Sequence, residues 1–246
     1  MEKQTDIDIS LCLPSRGRPE LAKRFVDSAI KKSSNPNSIE FLFYLNDDDP
    51  KLEEYKKILD KKNYIVGPNQ STAYSWNQMA YKSVGHIVML AGDDVEFKTE
   101  NWDTEIKNTF NLHDDKICMV VPWDGKKGKE KFVSQKSKYV YVGDEPLGAP
   151  HFFVHRKWID TLGWLAPPFF WHWFVDTYTQ KLARKIGRCI FLPGVICKAS
   201  KIFDDTAVNV RKHLNINQRD DFVWSMVRDR YLKTDVDLLK QSIKGS

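Results

Sequence analysis

The stretch IDISLCLPSRGRP, residues 7–19, combines a strand pattern, a polar loop and the start of a helix. Ile7 to Leu13 is a compact apolar run with alternating aliphatic residues, which predicts a strand buried on at least one face. The polar loop Pro14 to Arg18 ends this strand, and Pro19 suits the first position of a helix. The stretch therefore predicts the first strand–loop–helix unit of an α/β protein.

The same alternation continues through the first half of the chain. Strand patterns recur at residues 41–45, 64–66 and 86–91, and helical patterns occupy residues 19–30, 52–62 and 71–83. This order is typical of a Rossmann-like, mixed but mainly parallel sheet flanked by helices. The second half is less regular, with strand-like segments at 117–121, 139–142, 151–154 and 189–192 and helical ones at 156–162, 175–186 and 220–232. We expect one continuous domain with two halves, residues 1–112 and 113–246.

The composition favours a globular protein without a membrane span. A hydrophobic fraction of 41% is enough for a substantial core and excludes disorder of the whole chain. Because no apolar run is long enough to cross a bilayer and the N-terminus lacks a signal-like region, we expect a soluble, cytoplasmic protein. The net charge of +5 permits an anionic partner such as a nucleotide, DNA or an acidic membrane, but requires none. The cysteines are expected to be buried free thiols rather than disulfides or zinc ligands; they are Cys12, Cys118, Cys189 and Cys197.

Polar side chains follow three of the predicted strands, in the segments Pro14 to Arg18, Asn46 to Asp49 and Asp93-Asp94. Right-handed crossovers bring such loops to one edge of the sheet, where ligands of these folds bind. The adjacent carboxylates of Asp93 and Asp94 repel each other unless a cation or hydrogen-bond donors share the site. A hard divalent ion held by carboxylates and ligand phosphates is one solution, and a solvated acidic turn after Gly92 is the alternative.

On these residues the chain resembles the GT-A-fold glycosyltransferases, closest to glycosyltransferase family 2 and its small phage and bacterial versions. Residues 11–19 are similar to the family's first strand and nucleotide loop, and Asn46-Asp47 to the acidic pair that holds uracil and ribose. Residues 71–77 resemble the G-x-x-x-A-x-N helix beside the diphosphate, with Ser71 in place of glycine. Residues 87–94 resemble the strand carrying the D-x-D metal motif, with Gly92 in place of the first Asp. Residues 153–163 and 171–176 resemble the acceptor region, in which Val175-Asp176 keeps only the Asp of the usual E-D pair.

The resemblance implies a role for each matching position. A divalent metal, Mn²⁺ or Mg²⁺, is expected on Asp94 and His213, with His151, His155 and His172 as competing ligands. Asp176 is expected to be the catalytic base. The acceptor is expected to contact Trp171, His172 and Trp173. The nucleotide sugar is expected to contact Pro14, Ser15, Arg16, Arg18, Asn46, Asp47, Asn77 and Asp93.

Simpler interpretations exist for several of these residues. Arg16 and Arg18 suit phosphate recognition, but they also suit a solvated loop. Asp176 alone would be an ordinary N-cap or first-turn residue. His213 lies in a basic stretch typical of a protein surface. At least half of the rings in the aromatic run of residues 169–174 are expected to pack in the core, and the others could stack on a sugar or a base.

The resemblance implies a metal-dependent, inverting glycosyltransferase that uses a nucleotide diphosphate sugar, expected to be a UDP sugar. The acceptor hydroxyl could belong to a glycan or to a hydroxymethylated base in phage DNA, and the enzyme would work in a bacterial cell or a phage-infected host. One alternative is a nucleotidyltransferase on a similar sheet, which needs a glycine-rich loop, whereas residues 14–19 contain only Gly17. Another is a non-catalytic module that binds a nucleotide or a glycan.

Overall fold

The computed structural model describes residues 7–126, 137–143, 147–200, 214–228 and 230–245. The strands are β1 (Ile9–Ser15), β2 (Ile39–Asn46), β3 (Tyr64–Gly67), β4 (Ile87–Leu90), β5 (Val95–Phe97), β6 (Met119–Trp123), β7 (Val140–Tyr141), β8 (Phe152–His155) and β9 (Cys189–Ala199). The helices are α1 (Pro19–Lys32), α2 (Leu52–Ile58), α3 (Thr72–Lys82), α4 (Trp102–Phe110), α5 (Arg156–Leu162), α6 (Val175–Lys185), α7 (Leu214–Val227) and α8 (Arg230–Lys244). Short 3-10 turns occur at Pro36–Ser38 and Lys61–Asn63.

The strands form one mixed sheet in the order β3-β2-β1-β4-β8-β6-β9-β5, with β7 paired to β9. The first four strands in this order are parallel, and β8 is antiparallel to both of its neighbours. The parallel pairing of β1 with β2 and with β4 confirms the predicted Rossmann-like arrangement. Since β1 lies between β2 and β4, the loops that follow these three strands meet at one edge of the sheet.

Alternating strand residues divide the apolar interior into two clusters, one on each face of the sheet. In β1, Leu11 and Leu13 point to the cluster that includes Phe25 of α1 and Trp102 of α4. Cys12 points to the opposite cluster, which includes Met79 of α3 and residues of α5, α6 and α8. The alternation seen in the sequence thus reflects a strand covered on both faces, as expected for a central parallel strand.

The structure corrects the sequence-based element boundaries in several places. The helix expected at residues 220–232 is wrong, because two helices, α7 and α8, occupy this region. A buried stripe of Leu232, Val236 and Leu239 continues the helical pattern well beyond residue 232. The sequence interpretation missed α4, and it missed β5, which is too short to show a period of two. The helix expected at residues 52–62 ends at Ile58, and the strand expected at residues 189–192 continues to Ala199.

The four cysteines are free and buried, as predicted. Burial raises the pKa of all four thiols, which therefore stay protonated and are poor metal ligands. None of the helices formed by the described residues combines the length and the apolar character that crossing a membrane requires.

Candidate functional site

A closed ring of hydrogen bonds joins the loop after β1 to Asp93, which follows β4. The Ser15 hydroxyl donates to Asp93 Oδ2 at 2.7 Å, and Arg18 Nη1 donates to Asp93 Oδ1 at 3.1 Å. Tyr55 of α2 completes the ring, because its hydroxyl accepts the Arg18 N–H at 2.8 Å and lies 2.6 Å from Ser15 Oγ. Since Ser15 gives its proton to Asp93, Tyr55 is the donor in its contact with Ser15.

This ring gives Asp93 a buried and fully supported position. Burial raises the pKa of Asp93, whereas the charge of Arg18 and the hydrogen bonds from Ser15 and Arg18 lower it. The sequence interpretation did not find Tyr55, since a buried tyrosine in a helix carries no signal of a contact with a loop 40 residues earlier.

Asp94 differs from Asp93 in having a side chain that the protein leaves available. Its backbone carbonyl accepts from Ser200 N–H at 3.0 Å and from Arg24 Nη2 at 3.3 Å, so the position of its backbone is fixed. Within the described part of the chain, no residue donates a hydrogen bond to the Asp94 carboxylate, which is partly exposed. Of the two carboxylates, Asp94 is therefore the one that can bind an added group.

Gly92 makes room for the Asp94 carboxylate. A Cβ atom at Gly92 would lie 2.9 Å from Asp94 Oδ1 and 3.7 Å from the Cε1 atom of His151. Among the described residues, no group of three His, Cys, Asp or Glu side chains is arranged to hold a metal ion. One carboxylate still fits a hard divalent ion whose other ligands are water and phosphate oxygens, the usual pattern for Mg²⁺ at nucleotide sites.

The histidines expected to compete for a metal lie in different places. His155 pairs with Ile87 at the start of β4, whereas Asp94 follows the end of β4. Because the two residues lie at opposite ends of this strand, His155 cannot share a metal with Asp94. It is the N-cap of α5, and its Nδ1 accepts the N–H of Lys157 at 3.2 Å. His151 lies close to Gly92, at the same end of β4 as Asp94. His213 lies outside the described residues.

Of the three carboxylates in the loop after β2, Asp48 and Asp49 contact the loop after β1 and Asp47 does not. Asp47 is exposed, and its N–H donates to Gly67 O at 2.8 Å. Asp48 forms an exposed ion pair with Arg16, which lowers the pKa of Asp48. The buried Asp49 accepts the Gly17 N–H at 2.8 Å, in a turn where the φ of Gly17 is +69°. Because that φ is left-handed, glycine suits this position, and the turn aims its N–H at Asp49.

Pro14 is the penultimate residue of β1 and Asn46 is the last residue of β2, and both are partly buried.

Helix α3 links the sheet edge that carries Asp93 and Asp94 to the second half of the chain. Ser71 caps it by accepting the Tyr74 N–H at 3.0 Å, so this serine has a structural role at the position where the resemblance expects glycine. Trp76 Nε1 donates to Ala91 O at 3.0 Å. Asn77, expected to contact the nucleotide sugar, instead uses its amide group to hold a loop: it donates to Ala166 O at 2.8 Å and accepts the N–H groups of Leu165 and Ala166, both at 2.9 Å.

The loop Trp171–Trp173 is held from two sides. Asp220 of α7, which is fully buried, accepts the N–H groups of Trp171, His172 and Trp173 at 2.8, 2.8 and 2.9 Å. From α3, Thr72 donates to Trp171 O through its N–H at 2.9 Å and its hydroxyl at 3.0 Å. The sequence interpretation did not find Asp220, which lies almost 50 residues after the loop. The same hydroxyl lies 3.3 Å from His172 Nδ1.

The aromatic run divides between core and surface as expected. Phe169, Phe170 and Phe174 pack in or against the apolar core, and Phe174 stacks on Trp224 at a ring distance of 5.2 Å. Trp171 and Trp173 are only partly buried, and Arg219 lies 5.7 Å from the centre of the Trp171 ring.

Asp176 lies in the first turn of α6, directly after this loop. The N-cap of the helix is Phe174, in a left-handed conformation and without a capping side chain. The interpretation of Asp176 as the N-cap is therefore wrong, whereas a first-turn position is confirmed. Asp176 Oδ1 accepts the N–H of Thr177 at 2.8 Å, and the side chain is partly exposed. A negative charge is favoured at this end of a helix.

Comparison with known proteins identifies the fold. No family model matches the chain, and no curated protein matches it. The mannosyltransferase PcManGT from Pyrobaculum calidifontis, solved with GDP-Man and Mn²⁺, is similar with a TM-score of 0.62 at 14% identity, over 98% of this chain and 77% of that one. Residues 1–349 of S. aureus TarS are similar with TM-scores of 0.60 with UDP and 0.63 with UDP-GlcNAc, at 12% and 13% identity. These matches cover 80% and 81% of this chain, which spans only 61% and 60% of the TarS chains. The protein has the α/β GT-A fold of these glycosyltransferases.

Proposed function

We propose that this protein is a metal-dependent, inverting glycosyltransferase that transfers a sugar from a nucleotide diphosphate sugar to an acceptor hydroxyl. The observation that carries the proposal is the arrangement at the carboxyl edge of β1 and β4. There, Ser15, Arg18 and Tyr55 hold Asp93 in place, while the carboxylate of the adjacent Asp94 remains available. Ligands of open α/β sheets bind at such an edge.

In this proposal the first half of the domain, residues 1–112, provides the donor site. The exposed Asp47 and the adjacent Asn46 bind the nucleoside, and Pro14, Ser15, Arg16 and Arg18 form the loop beside it. Asp93 and Asn77 support the site through the contacts described above. UDP is the expected nucleotide, and GDP is the natural comparison because PcManGT was solved with GDP-Man.

Asp94 would hold the divalent ion, Mn²⁺ or Mg²⁺, with His213 as a further proposed ligand. When bound, such an ion supplies positive charge that stabilises the leaving diphosphate. Two features of Asp94 suit it to bind such an ion: its carboxylate is available, and Gly92 leaves space around that carboxylate. A Mn²⁺ ion is present in the PcManGT complex.

The second half, residues 113–246, would bind the acceptor and supply the base. Trp171, His172 and Trp173 form the proposed acceptor loop, which Thr72 and Asp220 hold in place. Asp176 follows this loop, and its carboxylate would take the proton of the attacking hydroxyl. Attack from the face opposite the leaving group inverts the configuration of the sugar. Both proposed acceptors, a glycan and a hydroxymethylated base, carry such a hydroxyl.

Calorimetric titration with UDP and with GDP, in Mn²⁺ and in EDTA, tests the donor site. We expect nucleotide binding that requires the metal, that Asp94→Asn weakens at least tenfold, and that Asp114→Asn leaves unchanged because Asp114 is an exposed surface carboxylate. Equal binding in EDTA, or unchanged binding by Asp94→Asn, would contradict the metal assignment.

Product analysis separates the proposed reaction from its main alternative. The protein is incubated with a nucleotide sugar and a panel of glycans and hydroxymethylated DNA. Release of a nucleoside diphosphate is the result expected of a glycosyltransferase. Release of pyrophosphate from a nucleoside triphosphate and a sugar phosphate would instead indicate a nucleotidyltransferase.

A further inference from the structure

The hydroxyl of Thr72 lies within reach of both a backbone carbonyl and the imidazole of His172. A threonine hydroxyl carries one proton, and that of Thr72 has two acceptors within reach: Trp171 O at 3.0 Å and His172 Nδ1 at 3.3 Å. The shorter contact takes the proton. The contact with His172 is then a hydrogen bond only if Nδ1 carries a proton and donates to Thr72 Oγ1.

The other ring nitrogen then has a free lone pair. A neutral imidazole has one donor and one acceptor nitrogen, so protonation at Nδ1 leaves Nε2 as the acceptor. Burial lowers the pKa of His172, and the charges of Asp220 and Asp176 only partly oppose this effect, so the neutral form of the ring is favoured. None of the described residues hydrogen-bonds to Nε2.

Hydrogen bonds with Asp220 and Thr72 also fix the backbone around His172. The His172 N–H donates to Asp220 Oδ2 at 2.8 Å, and the preceding carbonyl, Trp171 O, accepts two hydrogen bonds from Thr72. A side chain on a loop anchored at consecutive peptide groups keeps its direction, which is the condition for a precise contact with a substrate.

We propose that His172 Nε2 accepts a hydrogen bond from a hydroxyl of the acceptor substrate, and that Thr72 is the positioning residue that keeps this nitrogen unprotonated. The inference rests on the proposed glycosyltransferase function. It specifies which atom of His172 would make the contact that the resemblance implies, and which residue would set the tautomer of the ring. Asp176 remains the proton acceptor, and His172 orients the hydroxyl beside it.

The tautomer can be measured without any substrate. In ¹⁵N-histidine-labelled protein, two-bond ¹⁵N–¹H correlation spectra distinguish a protonated Nδ1 from a protonated Nε2. We expect His172 to carry its proton on Nδ1 in the wild type and in Thr72→Ser, which keeps the hydroxyl. Thr72→Val has nearly the same shape without the hydroxyl, and it should lose this preference.

The acceptor contact is tested by kinetics with the best acceptor found in the glycan and DNA panel. His172→Asn keeps a donor near the position of Nδ1 but removes Nε2, and it should lower kcat/KM for the acceptor roughly tenfold, more than it lowers kcat/KM for the donor. His172→Gln returns an acceptor oxygen near the position of Nε2 and should recover part of the loss.

Two results would overturn the inference. One is a wild-type His172 with its proton on Nε2, and the other is a His172→Asn variant with an unchanged kcat/KM for the acceptor. Both are distinct from failure of the proposed function, which would appear as the absence of metal-dependent nucleotide binding in the wild type.

Discussion

Arg18 and Asp93 form an ion pair that is largely shielded from solvent, with 3.1 Å between Nη1 and Oδ1 and side-chain exposures of 15% and 6%. The pair joins the loop after β1 to the loop after β4. Arg18 was expected to be either a phosphate ligand or a solvated residue, and the pairing gives it a structural role between these two loops. The neighbouring Arg16 pairs with Asp48 at the surface, with side-chain exposures of 32% and 53%. We therefore expect Arg18 to contribute more than Arg16 to the free energy of unfolding.

Arg18→Gln should therefore lower the free energy of unfolding by roughly 3 kcal/mol. This is the lower end of the usual range for removing one partner of a buried ion pair, because Arg18 keeps some exposure. Arg16→Gln is the matched control, with an expected loss of about 0–1 kcal/mol for an exposed pair. Urea unfolding of both variants measures the difference, and equal losses would contradict a structural role of Arg18.

Gly92 provides a second prediction, because it stands where the resemblance expects an aspartate. Gly92→Asp restores the D-x-D pattern, yet its Cβ would lie 2.9 Å from Asp94 Oδ1 and displace that carboxylate. We expect metal-dependent nucleotide binding to weaken by roughly tenfold, or about 1.4 kcal/mol. Gly194→Ala is the control, since Gly194 is exposed and no atom lies within 4 Å of a Cβ there. Calorimetry that finds tighter binding by Gly92→Asp would show that the chain tolerates the usual motif.

The predictable features of this protein are those that depend on neighbouring residues along the chain. The apolar runs at residues 7–13 and 86–91 predicted β1 and β4, and the crossover rule then placed Ser15 and Asp93 at one edge. The structure confirms both. The partners of these residues were not predictable in the same way. Tyr55 and Asp220 are 40 and almost 50 residues from the groups that they bind, and a single sequence has no local pattern that reports such contacts.

The distinction between Asp93 and Asp94 shows the same limit. The sequence indicates two adjacent carboxylates after a buried strand, but not which of them the protein itself binds. That depends on the direction of each side chain after β4 and on the presence of Ser15 and Arg18 next to only one of them. Similarly, the helical pattern of residues 71–83 predicted α3, whereas the use of Asn77 to hold residues 165 and 166 depends on tertiary packing.

Asp220 is expected to hold the loop Trp171–Trp173 in its conformation. An amide oxygen in Asp220→Asn cannot replace the two carboxylate oxygens that accept three N–H groups, and its NH₂ group would face a backbone donor. We expect a loss of about 1.5–3 kcal/mol in stability, typical of one hydrogen bond to a charged group, together with a lower kcat/KM for the acceptor. Asp221→Asn, at the adjacent exposed position, should change neither. Urea unfolding measures the loss of stability, and acceptor kinetics measure the change in kcat/KM.

Stability should decrease as the pH falls, because of His155. Burial, followed by the charge of His86, lowers the pKa of His155 from 6.5 to about 4 in the folded protein. The unfolded chain therefore binds a proton before the folded one does, so stability is complete above about pH 6.5 and is lost progressively down to about pH 4. We expect this histidine to contribute about 1–3 kcal/mol, since it is partly exposed.

Unfolding free energies at pH 7 and pH 4.5 check this prediction. His155→Asn should reduce the difference between the two pH values, because asparagine does not titrate and is a good N-cap for α5. An unchanged pH dependence in this variant would assign the titration to other groups.

Asp176 carries the chemical step of the proposed function. Asp176→Asn keeps an oxygen that can accept the N–H of Thr177, as Asp176 Oδ1 does at 2.8 Å, and Phe174 rather than residue 176 is the N-cap. The helix start should therefore be preserved while the proton acceptor is lost. We expect the variant to bind UDP and Mn²⁺ nearly as well as the wild type, while transfer decreases by roughly 10²–10⁴-fold, the usual contribution of general base catalysis. Asp160→Asn is the comparison variant, because Asp160 is an exposed carboxylate of α5 to which the role of base would pass if Asp176 did not supply it. Single-turnover transfer rates distinguish the two: a decrease limited to Asp176→Asn supports the assignment, and a decrease limited to Asp160→Asn transfers the role to α5.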